Sequence, residues 1–226
     1  MPGQGEETQA GADRAREVLR LERLEAPALL RPLSFGLEAG SSAAVLTSSE
    51  EANGALARLL IGVQRPRSGS VALFGKALAG LQEKELWAVR RRVGVVYCTG
   101  GLVSNLKLWE NLTLPLAYQG RVERSELERR GREILARLGY GGRLMASPSA
   151  LSRHERMLVG MGRAMLCAPE LMIYELPLQY LSHGEGDRVL AVAREFQAER
   201  PGRASLFITS QPEGALAAKV GRVFFA

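Results

Sequence analysis

The stretch from Leu151 to Ser182 constrains the fold more than any other part of the chain, because it predicts a helix, a turn and a buried strand in that order. Ser152 is a candidate helix N-cap, and Glu155, three residues later, completes a capping box. A proline turn ends the helix. The apolar run 171–174 is typical of a strand in a parallel sheet that is covered on both faces. Glu175 would then lie at the carboxyl end of this strand.

This order of residues resembles the core of an ATP-binding cassette (ABC) transporter ATPase. In that family a Leu-Ser-Gly-Gly-Gln signature opens a helix with an Arg-Ala pair, and a Pro-Glu-Leu turn leads to a strand that ends in Asp-Glu-Pro. The chain matches this skeleton without a gap at Leu151-Ser152, Arg163-Ala164, Pro169-Glu170-Leu171, Pro177 and Leu181-Ser182, the last pair resembling the D-loop. The rest of the signature is replaced by Arg153, His154 and Glu155, and the Asp-Glu pair by Glu175 and Leu176.

Composition predicts one domain with a subsidiary lobe, since 226 residues with 46% apolar content suffice for one sizeable core. No apolar run approaches the roughly 18 residues of a membrane span, and the N-terminus lacks the layout of a secretory signal. We therefore predict a cytoplasmic protein, with Cys98 and Cys167 as reduced thiols. The net charge of +6 comes mostly from arginines interleaved with acids, which is typical of solvated helix faces and does not favour a nucleic-acid partner.

The fold class predicted by the resemblance is α/β. It comprises a P-loop NTPase-like core of mostly parallel sheet with flanking helices, an antiparallel β lobe and a small helical subdomain. Alternating residues at 18–24 and 33–37 indicate two strands, and the resemblance implies that these strands form an antiparallel pair. Residues 1–16 give no periodic signal and are predicted to be a disordered leader. Residues 17–226 form the predicted cassette domain, with the helical subdomain at about 99–160.

A phosphate-binding loop would lie between the predicted strand 42–46 and the predicted helix 53–61. Such a loop needs glycines so that successive backbone amides can surround phosphates, a lysine for the β and γ phosphates, and a hydroxyl for Mg²⁺. Asn53 lies at the lysine position and Gly54 and Ala55 at the hydroxyl positions. The loop glycines are replaced by Thr47, Glu50 and Ala52. Glu50 and Glu51 also bring negative charge to the place of the phosphates.

The remaining catalytic positions of the family are also replaced. The chain has Cys98 where the family has a glutamine that senses the γ-phosphate, and Ser210 where it has a histidine. Leu176 takes the place of the carboxylate that polarises the attacking water, while Glu175 keeps a carboxylate at the Mg²⁺ position. We therefore predict no catalytic residue, no metal site and no cofactor. His154 is predicted to be a partly exposed imidazole, because a metal or general-base role would need partners that the sequence does not supply.

The resemblance implies a pseudo-ATPase, which would be a structural or regulatory cassette peripheral to the cytoplasmic membrane face through a permease. The segment 99–120 resembles cassettes of lipid-trafficking permeases. The partners implied are the permease and a second cassette, in a homodimer or a heterodimer. One alternative is a functional ATP/Mg-dependent ATPase subunit of a heteromeric transporter, with Ser152 and Glu175 as surviving contacts. Another is a soluble, nucleotide-independent interaction module.

Overall fold

Two β-sheets form the framework of the chain. The computed structural model describes residues 17–119, 122–175, 177–178 and 181–226. The predicted leader 1–16 lies outside the described residues. Within the described ranges, one sheet has four antiparallel strands in the order β2-β1-β4-β5, and the other has five parallel strands in the order β6-β7-β8-β3-β9. The predicted α/β class with an antiparallel lobe is confirmed.

After the first three strands, every further strand of the parallel sheet is preceded by at least one helix. The strands are β1 (Glu17–Glu25), β2 (Leu33–Glu38), β3 (Ser42–Leu46), β4 (Ser68–Leu73), β5 (Lys76–Ala77), β6 (Val93–Val96), β7 (Leu171–Glu175), β8 (Ala204–Thr209) and β9 (Arg222–Phe225). The helices are α1 (Glu50–Leu60), α2 (Glu83–Arg90), α3 (Leu108–Gln119), α4 (Arg124–Arg137), α5 (Arg153–Leu166), α6 (His183–Ala198) and α7 (Pro212–Ala217).

The central strands of the parallel sheet are apolar because helices or the antiparallel lobe cover both of their faces. Every residue of β7 and of β8 is buried. On one face Tyr174 stacks on Phe207 with ring centroids 4.8 Å apart, above the helices α3, α5 and α6. The other face packs against α1 and the antiparallel lobe. This continuous burial agrees with the strand pattern read from the sequence.

Two helices begin earlier than the sequence predicted. Helix α1 begins at Glu50 and not at Asn53, because the Ser49 side chain accepts a hydrogen bond from the Ala52 amide and caps an additional turn. Helix α6, for which the sequence predicts the range 187–199, begins at His183, because a capping box between Ser182 and Glu185 starts it there. Both starts follow ordinary N-capping chemistry.

Helices α3 and α4 fall within the region 99–160 that the sequence assigns to a helical subdomain. They pack against α5 through buried leucines such as Leu112, Leu135 and Leu138. The capping box predicted at the start of α5 is confirmed, with the Glu155 amide donating to Ser152 Oγ at 3.1 Å and the Ser152 amide donating to Glu155 Oε2 at 2.9 Å. The subdomain boundary itself remains a prediction.

Candidate functional site

The carboxyl ends of the parallel strands bring several of the predicted site positions to one edge of the sheet. Leu46 pairs with Thr209, and Glu175 pairs with Ile208. Thr47, Cys98 and Ser210 follow the ends of β3, β6 and β8. Because parallel strands all end at the same edge, this is the edge at which α/β proteins bind ligands. The predicted phosphate-loop and γ-phosphate-sensor positions therefore do converge.

The segment predicted to be a phosphate loop is largely the first turn of α1. The Ala52 amide donates to Ser49 Oγ at 3.1 Å, and the Asn53 amide donates to the Ser49 carbonyl at 3.1 Å. Glu50 and Glu51 occupy this first turn. The expectation of a loop at Glu50 and Ala52 is thus wrong, because the Ser49 cap lets the helix begin there. The amides of residues 52 and 53 already have acceptors within the chain, and two carboxylates complement the positive end of the helix.

Thr47 and Asn53 form a buried polar pair behind this turn. Their side chains are 6% and 0% exposed, and Thr47 Oγ1 donates to Asn53 Oδ1 at 2.6 Å. The Thr47 amide donates to the carbonyl of Thr209 at 2.9 Å, which ties the turn to β8. Asn53 Nδ2 has no hydrogen-bond acceptor within the described ranges. Thus the residue at the family's lysine position is turned inward to a neighbouring side chain and presents no charge.

Glu175, Gly54 and Arg58 lie together at the position where the family would bind its metal ion. Glu175 is 8% exposed. A Cβ on Gly54 would lie 3.1 Å from Glu175 Oε1 and 3.2 Å from Arg58 Nη1. Burial raises the pKa of the Glu175 carboxyl, the Arg58 guanidinium lowers it, and Glu50 raises it again. Because Gly54 has no side chain, Glu175 and Arg58 occupy space that a serine or threonine side chain at this position would need.

Arg58 is a site residue that the sequence reading missed. It lies four residues after Gly54 on α1, so both residues lie on the same helix face. The spacing of four residues on one helix is the sequence signal that places Arg58 on the same face as Gly54. Ala55, at the second hydroxyl position, is 4% exposed and packs in the interior. In this position it offers no polar atom to the edge of the sheet.

Cys98 and Ser210 flank the same edge. Burial raises the pKa of the Cys98 thiol, Glu175 and Glu50 raise it further, and Arg153 lowers it. The thiol is therefore protonated at neutral pH. Cys98 and Cys167 are both free thiols, in agreement with the prediction. Ser210 directly follows β8, next to Thr209, whose Oγ1 accepts from the Gln211 amide at 3.1 Å.

The start of α5, which carries the signature-like residues, is joined to the start of α6. His154 Nδ1 lies 2.8 Å from Glu185 Oε1. Glu185 Oε2 accepts from the Ser182 amide at 2.8 Å as part of the α6 cap. His154 is partly exposed, and the start of α6 at His183 places Glu185 beside it. These hydrogen bonds lower the pKa of Glu185, with the Ser182 backbone as the largest cause and His154 a smaller one.

The other residues of these motifs have structural neighbours or lie outside the description. Leu151 is 9% exposed and belongs to the core, and Leu181 packs against that core. Leu176, at the position of the water-polarising carboxylate, lies outside the described residues. The site thus brings together the predicted phosphate-loop positions, the predicted γ-phosphate-sensor positions and Glu175. The signature-like and D-loop-like residues meet each other through the two helix caps.

A groove of about 940 Å³ lies between α2, β6, α3 and α5. Its apolar lining includes Leu114, Pro115 and Ala164, and Trp87 at its rim is 59% exposed. Its cationic residues are Lys84, Arg90, Arg91 and Arg163. Arg163 Nη2 donates to the carbonyls of Gly100 and Gly101, at 3.1 and 2.9 Å, and so fixes the loop after Cys98 to α5. The groove is therefore connected to the sheet edge through one short loop.

Among the described residues, no group of three or more histidine, cysteine, aspartate or glutamate side chains is placed to hold a metal ion. None of the helices in these ranges has the length and apolar character needed to cross a membrane.

Comparison with known proteins identifies relatives over most of the chain. The family model described as "ABC transporter" matches residues 30–179. The lipoprotein-releasing system ATP-binding protein LolD of Chromohalobacter salexigens is 33% identical over 196 residues, which cover 86% of this chain and 81% of LolD. The methionine import ATP-binding protein MetN of Rhizobium johnstonii is 29% identical over 211 residues, which cover 92% of this chain and 58% of MetN. The chain thus spans less than two thirds of the length of that relative.

Solved structures show the same fold at low sequence identity. The dimeric bacterial ABC transporter cassette MJ0796 superimposes with a TM-score of 0.81 at 19% identity, covering 92% of this chain and 93% of that chain. CbiO1 of Clostridium perfringens, part of an ABC transporter complex, gives a TM-score of 0.70, also at 19% identity, with 87% and 79% covered.

Proposed function

Because the chain belongs to the ABC transporter family of ATP-binding cassettes, we propose that it is a cassette subunit that assembles with a membrane permease and does not itself hydrolyse ATP. The relatives serve import and export systems, being named for methionine import and for lipoprotein release. In this proposal the chain keeps the cassette shape and its contacts with other subunits. Its role is structural or regulatory, at the cytoplasmic face of the membrane through the permease.

The main support for this proposal is the segment predicted to be the phosphate loop. Most of it forms the first turn of α1, with the amides of Ala52 and Asn53 bonded to Ser49. A triphosphate would have to take these amides from Ser49, approach Glu50 and Glu51, and do without a lysine. The two hydrogen bonds together stabilise the turn by about 2 kcal/mol, which corresponds to about 30-fold in affinity. Charge repulsion adds to this cost.

The remaining residues do not fit Mg²⁺ and a nucleotide either. A hydroxyl ligand at position 54 is missing, and a side chain there would meet Glu175 and Arg58 at about van der Waals distance or closer. The positive charge near Glu175 comes from Arg58. Asn53 Nδ2 is a single neutral donor without an acceptor in the described structure. We therefore derive no catalytic step through ATP, and we assign no catalytic residue.

The groove beside Trp87 supports the assembly with a permease. It has an apolar floor, an exposed aromatic ring and several cationic residues, which suit a short amphipathic segment with acidic side chains. Exposed aromatic and arginine residues of this kind are enriched at binding surfaces. In this family the helical subdomain receives a coupling helix from the permease, and α3, which lines the groove, lies in the region predicted to be that subdomain. Which substrate the permease moves, lipid or another, is a property of that partner.

The alternative of a working ATPase subunit in a heteromer predicts a different outcome in one experiment. The chain would be co-expressed with the permease and any second cassette encoded beside it, and Mg²⁺-dependent phosphate release by the purified complex would be measured. We expect Glu175→Gln in this chain to leave turnover unchanged, because the partner cassette supplies the activity. A loss of turnover of tenfold or more would instead support the alternative.

The same preparation tests the interaction with the permease. Trp87→Ala should weaken co-purification of the permease, whereas Leu216→Ala, at a residue that is 75% exposed on α7, should not. Failure of the wild-type chain to co-purify with any permease would favour the nucleotide-independent soluble module. A homodimer or a heterodimer would be distinguished by the mass of the complex.

A further inference from the structure

A second cavity lies at the opposite edge of the parallel sheet, away from the phosphate-loop edge. Its volume is about 380 Å³. Ser42, the first residue of β3, and Arg203, which precedes β8, are part of its lining. The cavity is thus at the amino ends of these strands and shares no residue with the candidate site described above. Helix α6 and the end of α7 form its other walls.

The lining of this cavity is strongly cationic. Four of the lining residues carry positive charge, and none of the described residues that line it is acidic; the cations are Arg194, Arg200, Arg203 and Lys219. The nearby carboxylates Glu195 and Glu199 are both engaged by Arg137, at 3.8 and 2.6 Å. Glu199 also lies 3.7 Å from Arg203. The residues that line the cavity therefore carry an excess of positive charge.

Arg203 gives this excess a fixed position. It is 4% exposed, its Nε donates to the Pro169 carbonyl at 2.9 Å, and its Nη1 donates to the Phe196 carbonyl. Within the described ranges, Nη2 has no hydrogen-bond acceptor. Burial lowers the pKa of this guanidinium, and the neighbouring Arg200 lowers it further while Glu199 opposes the shift. A buried cation with a donor to spare is stabilised when an anion enters beside it.

The walls of the cavity are held in place by hydrogen bonds that do not use its cations. Gln197 Nε2 donates to the carbonyls of Gly40 and Ser41, at 3.0 and 3.3 Å, and joins α6 to the start of β3. Gly40 and Gly202 both adopt positive φ, +79° and +96°, and pass close to each other, since a Cβ on Gly40 would lie 3.5 Å from the Gly202 nitrogen. Part of the recess is thus held by contacts that do not involve its cations.

We propose that this cavity is a binding site for a phosphate monoester or inorganic phosphate, with Arg194, Arg200, Arg203 and Lys219 as its cationic ligands. Guanidinium groups bind phosphate oxygens in pairs of parallel hydrogen bonds, and a dianion matches several cations better than a carboxylate does. The carbonyls at the end of α6 carry about half a negative charge, which opposes an anion. Four unit positive charges outweigh this effect.

Calorimetric titration of the full chain with inorganic phosphate, at constant ionic strength in chloride, tests the proposal. The test variant is Arg194→Ala with Lys219→Asn. Both residues are exposed, alanine favours the helix at 194, and asparagine tolerates the left-handed φ of +50° at 219. The control variant, Arg188→Ala with Lys76→Ala, removes the same charge from exposed positions outside the cavity. Vesicles containing phosphatidic acid form the second arm of the experiment.

We expect saturable phosphate binding by the wild type and the control, and binding weaker by about tenfold or more in the test variant. Binding of free phosphate alone would identify a soluble ligand, whereas cavity-dependent binding of the vesicles would identify a lipid headgroup. Absence of saturable binding to both probes would overturn the proposal. Equal weakening in the control and the test variant would do so too, since it would show a general effect of charge. Circular dichroism of each variant confirms that it is folded.

Discussion

The self-capped first turn of α1 makes a quantitative prediction for Ser49→Ala. The substitution removes the oxygen that accepts from the Ala52 amide at 3.1 Å, and nothing else in the described structure bonds to that oxygen. Loss of a serine N-cap costs about 1 kcal/mol of folding free energy. For a domain of this size, 1 kcal/mol lowers the melting temperature by about 2–4 °C. We therefore expect a melting temperature about 2–4 °C below that of the wild type.

The assay is thermal and urea unfolding followed by circular dichroism, with and without Mg-ATP. Ser48→Ala is the matched control, because Ser48 is the exposed neighbouring serine and its side chain makes no hydrogen bond in the described part of the chain. Ser48→Ala should unfold with the wild type, and Mg-ATP should stabilise none of the three proteins. If Ser49→Ala were as stable as the wild type, the helical turn would not be held by its cap. If Mg-ATP raised the melting temperature of the wild type, the segment would be a working phosphate loop.

Three further substitutions test other parts of the site. Burial raises the folded-state pKa of Glu175, so the native state binds more protons than the unfolded state, and stability falls as the pH rises through that pKa. We expect Glu175→Gln to flatten this pH dependence and to increase stability at neutral pH, as measured by urea unfolding from pH 4 to 8. An unchanged pH profile of stability would contradict this prediction. The pKa of Glu185 is lowered, so this carboxylate stabilises the fold above its ordinary pKa, and that stabilisation is lost as the pH falls through the folded-state pKa. In Glu185→Gln this loss of stability at acid pH should disappear. The nuclear magnetic resonance signals of His154 should also shift in the variant. Gly160→Ala would place a Cβ 2.3 Å from the Gly100 carbonyl, so we expect a loss of about 2 kcal/mol or more in unfolding free energy, and wild-type stability would show that α5 does not pack on this loop.

The fold was predictable from the sequence because its strongest signals are local. Continuous apolar runs at 171–174 and 204–209 indicate covered parallel strands, and the Ser152–Glu155 capping box marks the start of α5. These patterns depend only on neighbouring residues. The order of the strands in the sheet depends on long-range pairing, which these local patterns do not specify.

The site was predictable in part. The convergence of Thr47, Cys98 and Glu175 follows from strands that end at the same edge. The start of α1 was misplaced because the family's phosphate loop was projected onto residues with a serine cap and two acids, a local signature of a helix N-terminus. The Ser182–Glu185 capping box is a signal of the same local kind, but the glycines at 184 and 186 disfavour a helix and weaken that signal. The contact between His154 and Glu185 spans two helices and could only be found from their packing.

The central claim is that this cassette does not accept ATP, and equilibrium binding of Mg-ATP to the purified chain tests it most directly. Equilibrium dialysis with labelled ATP measures the affinity without requiring turnover or a partner. We expect no saturable binding of Mg-ATP with a dissociation constant below micromolar at the phosphate-loop edge. Saturable binding at micromolar or lower concentration that is lost in Asn53→Ala would contradict it.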